Sequence, residues 1–212
     1  MLGENAIDRL YATVDALRSE LRAVEFDLHP TVERILTESV AYYAPTVGEE
    51  AAWAMFQHPT VNLGTLRGGT AVNSVPTAAT ADIDIRLTTS VPTASVLERI
   101  REFVAERQAV EIQSVDWSEG TYESPDQPLV EAVQHVSETV TGARTFARSA
   151  TGGGDAKAIH TDGVSTVEFA LGTETAHAVD ERTTRRALCQ TARIYAELPA
   201  IFHRESAESA NR

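Results

Sequence analysis

The sequence predicts a mixed α/β protein, an α+β first part joined to an α/β second part, on three observations. Residues Asn5 to Leu21 place Ile7, Leu10, Tyr11, Val14, Leu17 and Leu21 at the spacing of one helical face. Ala81, Ile83, Ile85 and Leu87 alternate strictly with Asp82, Asp84 and Arg86, the mark of a strand with one buried and one wet face. Beyond a polar stretch from Ser118 to Pro128 the pattern changes to helix, glycine-rich loop, apolar strand and helix.

The remaining elements follow from their breakers. His29-Pro30 ends the first pattern, and two helices follow, Thr31 to about Tyr43, stopped by Pro45, and Gly48 to Phe56, stopped by His58-Pro59. They read as a helical pair inserted near 31–58. Thr60 to Arg67 reads as a strand closed by Gly68-Gly69. Thr93 to Arg107 reads as a helix capped by Thr93, and Val110 to Trp117 as a further strand. Helix, strand, strand, helix, strand is the split βαβ order without its first strand. Residues 1–117 therefore read as one α+β domain and 118–127 as a hinge. Residues 128–205 form the α/β part, with a helix from Pro128 to Val140, a short strand Thr145 to Arg148, a buried strand Val164 to Leu171 and a helix Glu181 to Leu198; 206–212 read as a loose tail.

Composition narrows the function classes. The chain of 212 residues carries 31 acidic and 18 basic side chains, a formal charge of −13. Such a surface repels nucleic acid and anionic membrane. Lys157 is the only lysine. This fits either an ordinary acidic cytoplasmic protein or one adapted to high salt, where carboxylates keep the surface hydrated. Cys189 is the only cysteine, which excludes an intrachain disulfide, and its apolar-periodic helix makes it a small core residue. No apolar run reaches the ~20 residues of a membrane span, and the first residues do not form a signal peptide. The cytoplasm is the expected location.

Three groups of residues could carry chemistry. Gly152-Gly153-Gly154-Asp155 precedes a short helix, so backbone N–H groups could cradle an anion there; the same residues also suit a plain turn with Asp155 as cap. His177 lies between a buried strand and a helix, where ligands gather in open α/β sheets, and could ligate a metal or sit in a solvated loop. Glu181 could orient that histidine or act as a helix-start acid. Arg86 could grip a carboxylate bidentately, with Asn73 in the preceding turn, or pair with Asp84. His29, His58, His135, His160 and His203 receive no role.

Taken in order, these segments resemble a known family. Asn62-Leu63-Gly64-Thr65-Leu66-Arg67-Gly68-Gly69, Asn73-Ser74-Val75-Pro76 and Asp82-Ile83-Asp84-Ile85-Arg86 resemble the lid of the metallopeptidases that include succinyl-diaminopimelate desuccinylase, acetylornithine deacetylase, aminoacylase and glutamate carboxypeptidase. Gly153-Gly154-Asp155-Ala156-Lys157 resembles their Gly-Gly-Thr-Asp-Ala-Arg segment, and His177-Ala178-Val179-Asp180-Glu181 their His-x-x-Asn-Glu ending. The resemblance implies a ferredoxin-like lid lacking its first strand, followed by the C-terminal part of a zinc-aminopeptidase-like α/β domain.

It also implies amide hydrolysis at two zinc ions, with cobalt as an alternative metal, on an N-acyl amino acid or peptide-like substrate, in a homodimer joined through the lid. His177 would then be a metal ligand; Asn73, Arg86, Gly153 and Gly154 would hold substrate; Asp155 and Glu181 would support them. Asp180 replaces the family's usual asparagine, Gly154 its threonine, and the helices near 31–58 are extra. The resemblance does not extend to the family's N-terminal half, which carries its His-x-Asp motif, bridging aspartate and paired acids. The resemblance thus implies a portion of the enzyme that is inactive alone. A non-catalytic dimerisation module and one chain of a split enzyme are the competing expectations.

Overall fold

A computed structural model describes residues 3–209 except 25, 151, 153, 173, 174 and 177, with side chains described to Arg204. In chain order the elements are α1 (Ala6–Arg22), α2 (Pro30–Val47), α3 (Glu49–Gln57), β1 (Thr60–Gly68), β2 (Ala79–Arg86), α4 (Thr93–Ala105), α5 (Pro128–Thr141), α6 (Ala156–Thr161) and α7 (Arg185–Ser209). The chain divides into two compact units, Met1–His29 with Thr46–Gly120, and Pro30–Pro45 with Thr121–Arg212. The expected insertion near 31–58 is thus split: Pro30–Pro45 groups with the second unit, and α3 with the first. The apolar stripe Val32, Ile35, Leu36 and Val40 is buried and gives the 30–45 segment a core commitment of its own.

In the first unit β1 and β2 form a two-stranded antiparallel sheet. Val61 opposes Ile85 and Leu63 opposes Ile83, so the apolar positions of both strands share a face. The register slips between Leu63 and Thr65, leaving Gly64 as the extra residue of a β-bulge. The slip sets Thr65 opposite Asp82, whose Oδ2 accepts from Thr65 Oγ1 at 2.5 Å and from Arg67 Nη1 at 3.2 Å. The Thr65 hydroxyl first, and then Arg67, hold the Asp82 carboxyl below its ordinary range.

Helix α1 begins where Asn5 Oδ1 accepts from the N–H groups of Ile7, at 2.9 Å, and Asp8. Its first turn lies against the end of β1, where a Cβ on Gly68 would sit 2.9 Å from both Ile7 Cγ1 and the Ala78 carbonyl oxygen. Only glycine lets helix and strand approach so closely. Leu17 and Leu21 of α1 meet Val96, Ile100 and Phe103 of α4, together with Val91, and Val61, Ile85 and Leu87 pack against this core. Helix α4 starts at Thr93 as expected, but Pro92 holds the cap position; Glu119 takes Thr93, accepting from its hydroxyl at 2.9 Å and its N–H at 3.3 Å.

In the second unit α5 packs on α7. Gly142 closes α5 in the left-handed conformation (φ 71°). Helix α7 buries Ala187 and Ile194, and Gln190 and Thr191 are half-buried on the same stripe. Cys189 falls on the opposite side and is exposed, so it is not the core residue expected. Two helices also run past their expected ends. Pro45 lies inside α2, which continues to Val47, and Pro199 lies inside α7, which continues to Ser209 and takes in the start of the expected loose tail. A proline removes one helical hydrogen bond without forbidding the turns that follow.

Three expected strands form no ladder among the described residues: 110–117, 145–148 and 164–171. A strand exists through its ladder, and in the last two cases side chains satisfy the backbone instead. Thr145 N–H donates to Glu138 at 2.9 Å, Gln134 donates to the Thr145 carbonyl at 3.0 Å, and Ser149 N–H donates to the buried Ser39 hydroxyl at 2.9 Å. Likewise Thr166 N–H donates to Glu123 at 3.1 Å, Tyr195 donates its hydroxyl to the Phe169 carbonyl at 2.7 Å, and Leu171 N–H donates to Thr191 at 3.4 Å. Segment 110–117 instead leaves Ile112, Val115 and Trp117 exposed.

Leu21 is fully buried while Tyr11, on the same helix, is 52% exposed. Leu21→Ala is expected to lower unfolding free energy by about 2–5 kcal/mol in urea titrations, and Tyr11→Ala to change it by no more than about 0.5 kcal/mol. Asp82 gives a pH dependence. A carboxyl whose folded pKa is depressed adds stability above its unfolded pKa, about 3.9, and loses it as pH falls through the lower folded value. The melting temperature of Asp82→Asn is therefore expected to lie below wild type at pH 6 and to converge with it as pH drops below about 4.

Candidate functional site

Asn73 and Arg86 both belong to the first unit, but one chain does not bring them together. Asn73 is exposed in the loop 69–78, which adjoins the start of α1 through Ala6 N–H donating to the Pro76 carbonyl at 3.0 Å. Arg86 ends β2 at its other end, opposite Thr60. Ala79, where the loop enters β2, is seven residues from Arg86, a path of roughly 23 Å at strand rise. Arg86 is also engaged, its Nε donating to Asp84 Oδ2 at 2.8 Å on the exposed face. An incoming carboxylate must compete with Asp84 for that guanidinium.

The glycine segment lies in the second unit. Gly153 falls outside the described residues. Gly154 is exposed, and its carbonyl accepts from Lys157 N–H at 3.2 Å. Asp155 occupies the cap position of α6, yet its side chain makes no capping bond. The Glu168 carboxylate lies against Gly154, in the space a Cβ would fill. A threonine side chain at this position would displace it. An anionic ligand reaching this side of Gly154 would meet a like charge, so Glu168 must swing away first.

His177 falls outside the described residues. The loop around it is cinched by Thr175, whose hydroxyl donates to the Arg182 carbonyl at 2.9 Å and accepts from the Arg182 N–H at 3.1 Å. Glu181 is exposed within this loop, and its N–H donates to the Ala178 carbonyl at 3.2 Å. It is not a helix-start acid, because α7 begins later, at Arg185. There Thr184 Oγ1 accepts from Ala187 N–H at 3.0 Å, satisfying one of the helix's free donors.

One pairing has no counterpart in the sequence reading. His160 Nε2 lies 3.1 Å from Glu123 Oε1, with side chains 23% and 10% exposed. The same oxygen receives the Thr166 N–H. Glu123 thus ties α6 to the extended segment that carries Glu168. The residues stand 37 apart in a stretch read as hinge and a helix end, and no spacing rule joins them.

A family model for the peptidase dimerisation domain of the M20 peptidases matches residues 1–111, just over half the chain. The chain belongs to that family. Its sequence is 36% identical over 116 residues to a succinyl-diaminopimelate desuccinylase of Magnetococcus marinus, covering 54% of this chain and 30% of that protein. Its fold is similar to that of an M20 family metallo-carboxypeptidase from Sulfolobus solfataricus, with a TM-score of 0.69 and 16% identity, over 95% of this chain and 53% of that one. The chain thus spans less than a third of the desuccinylase and about half of the carboxypeptidase. The matched residues hold α1 to α3, β1, β2 and α4.

Glu123→Ala is expected to cost about 1–3 kcal/mol, because it strips the acceptor from the Thr166 N–H and from His160. Glu123→Gln, which keeps one acceptor oxygen, is expected to recover part of that loss in the same denaturation experiment.

Proposed function

We propose that this chain is the lid and C-terminal portion of an M20 metallohydrolase that cleaves an amide bond beside a carboxylate, in the manner of a desuccinylase, deacetylase or carboxypeptidase. The observation that carries the reading is the dimerisation-domain match over residues 1–111, followed by the ordered segments at Gly153 and His177. Arg86 would bind the substrate's carboxylate after releasing Asp84, and Asn73 would contribute a polar contact. Because β2 separates the two, they would serve one substrate only from different subunits of a homodimer. By the resemblance, Gly153 and Gly154 would offer backbone N–H groups to a substrate's carboxylate or acyl end, with Asp155 starting the helix beneath them.

The metal requirement sets the limit of this chain's chemistry. Among the described residues no three His, Cys, Asp or Glu side chains converge as a metal-holding group. A catalytic zinc takes about three protein ligands; His177, the one candidate, falls short of that set. The donor set does not fit two zincs, so further ligands would have to come from other polypeptide, linked or separate. No helix among the described residues is long and apolar enough to cross a membrane, and we place the protein in the cytoplasm.

Calorimetric titration of the isolated chain is expected to show no tight binding of two zinc ions, and acyl-amino-acid substrates are expected to stay intact. Two tightly bound zincs per chain, or hydrolysis by the chain alone, would overturn the reading. A non-catalytic dimerisation module is the second reading, favoured by the family match to the lid. Activity appearing only after mixing with a polypeptide that carries the missing ligands would decide against it.

A further inference from the structure

Two arginines of the second unit sit on one aromatic cluster but differ in their partners. Tyr42 and Tyr43 of α2 meet edge-on with ring centres 4.9 Å apart, and Phe146 meets Tyr42 edge-on at 5.6 Å. The guanidinium carbon of Arg144 lies 4.5 Å from the centre of the Phe146 ring. That of Arg148 lies 4.4 Å from the centre of Tyr42 and 5.4 Å from that of Tyr43. Arg144 also has an acid, its Nη2 donating to Glu38 at 2.5 Å. Arg148 has only neutral acceptors. Its Nη1 donates to the Tyr43 hydroxyl at 2.9 Å and to the Ser149 carbonyl at 3.3 Å, and among the described residues no carboxylate pairs with it.

An unpaired charge alone is not a site; Arg101 on α4 also lacks a partner among the described residues. Arg148 differs in being held before any ligand arrives. Two rings and two hydrogen bonds fix its guanidinium, and the backbone of the next residue is fixed as well, Ser149 N–H donating at 2.9 Å to the buried Ser39 hydroxyl. The cost of ordering a long side chain on binding is thereby reduced. Nη1 is the occupied nitrogen, so the Nε and Nη2 N–H groups stand without a partner among the described residues. Those two groups lie side by side on one edge of the guanidinium plane, the fork that meets both oxygens of a carboxylate.

We propose that Arg148, walled by Tyr42 and Tyr43, is a binding site for a small monocarboxylate that carries a flat apolar group. The carboxylate takes the Nε and Nη2 N–H groups, and the apolar group lies on the Tyr42 ring, which is 39% exposed. One charge answers one charge. Arg144, the other cation of the cluster, is already neutralised by Glu38, so a phosphate dianion gains no second partner here. The overall charge of −13 repels a polyanion. This site goes beyond the hydrolase reading: it shares no residue with the groups assigned there to substrate or metal, and it needs no metal.

The test follows the Arg148 Nε–H nuclear magnetic resonance signal of the isotope-labelled full chain, assigned by its loss in Arg148→Lys, during titration with phenylacetate. A saturable shift with a Kd of about 1 mM is expected, while the Arg144 signal stays in place. Phenylacetamide, the uncharged analogue, and inorganic phosphate are each expected to bind at least about tenfold more weakly. Arg148→Lys keeps the charge and loses the fork. It is expected to weaken phenylacetate binding, read by saturation transfer to the probe, at least about fivefold, with unchanged circular dichroism confirming the fold. A wild-type Arg148 signal that does not move overturns the proposal without any variant. An equal response to phenylacetamide reduces the site to ring stacking, and an equal response to phosphate reduces it to bare charge; either overturns the carboxylate assignment. Undiminished saturation transfer in Arg148→Lys places the probe elsewhere and overturns it too. All of these outcomes leave the hydrolase reading untouched.

Discussion

Every strand in this chain is subject to one constraint: a backbone N–H or C=O removed from water must find a partner. Where β1 and β2 meet, they supply each other, and the resulting sheet gives α1 and α4 a surface on which to bury Leu17, Leu21, Ile100 and Phe103. The bulge at Gly64 adjusts that ladder so that Asp82 meets Thr65 and Arg67 on the wet side. In two segments without a ladder among the described residues, side chains take over. Glu138, Gln134 and Ser39 hold the segment 145–149, and Glu123, Thr191 and Tyr195 hold the segment 164–171. The secondary structure of each unit therefore follows the supply of partners as much as local propensity.

The same constraint shapes the candidate chemistry. The β2 ladder that orders Arg86 also carries it to the far end from the loop that holds Asn73. Around the glycine segment, the extended backbone of 164–171 sets the Glu168 carboxylate against Gly154. Two of the expected ligand-binding groups thus meet an acid of their own chain, Arg86 with Asp84 and Gly154 with Glu168. In a chain of charge −13 this is unsurprising. It means that anion recognition here is a competition between internal and external carboxylates.

Legibility in the sequence tracked the range of the interaction. Asn5 and the apolar stripe behind it announce α1, because cap and periodicity act within a few residues. The alternation from Ala81 to Leu87 announces β2 for the same reason, and the five ordered segments announce the family. What stayed hidden depends on distant partners. Val164 to Leu171 has the composition of a buried strand, but nothing in it says that Tyr195 and Thr191 will stand in for a neighbour. Cys189 sits among apolar residues, yet only the choice of Ala187 and Ile194 as the buried stripe turns it outward. His160 and Glu123 meet across 37 residues, and neither has a local signal.

Side chains that substitute for a ladder carry an evolutionary consequence. In an ordinary sheet the backbone of one strand satisfies the next, so sequence may drift while the hydrogen bonds persist. Here Ser39, Glu123, Thr191 and Tyr195 each hold a main-chain group by a particular hydroxyl or carboxylate. Drift at those four positions would be restrained although none of them is a candidate for touching substrate, and invariance there among relatives would reflect architecture rather than catalysis.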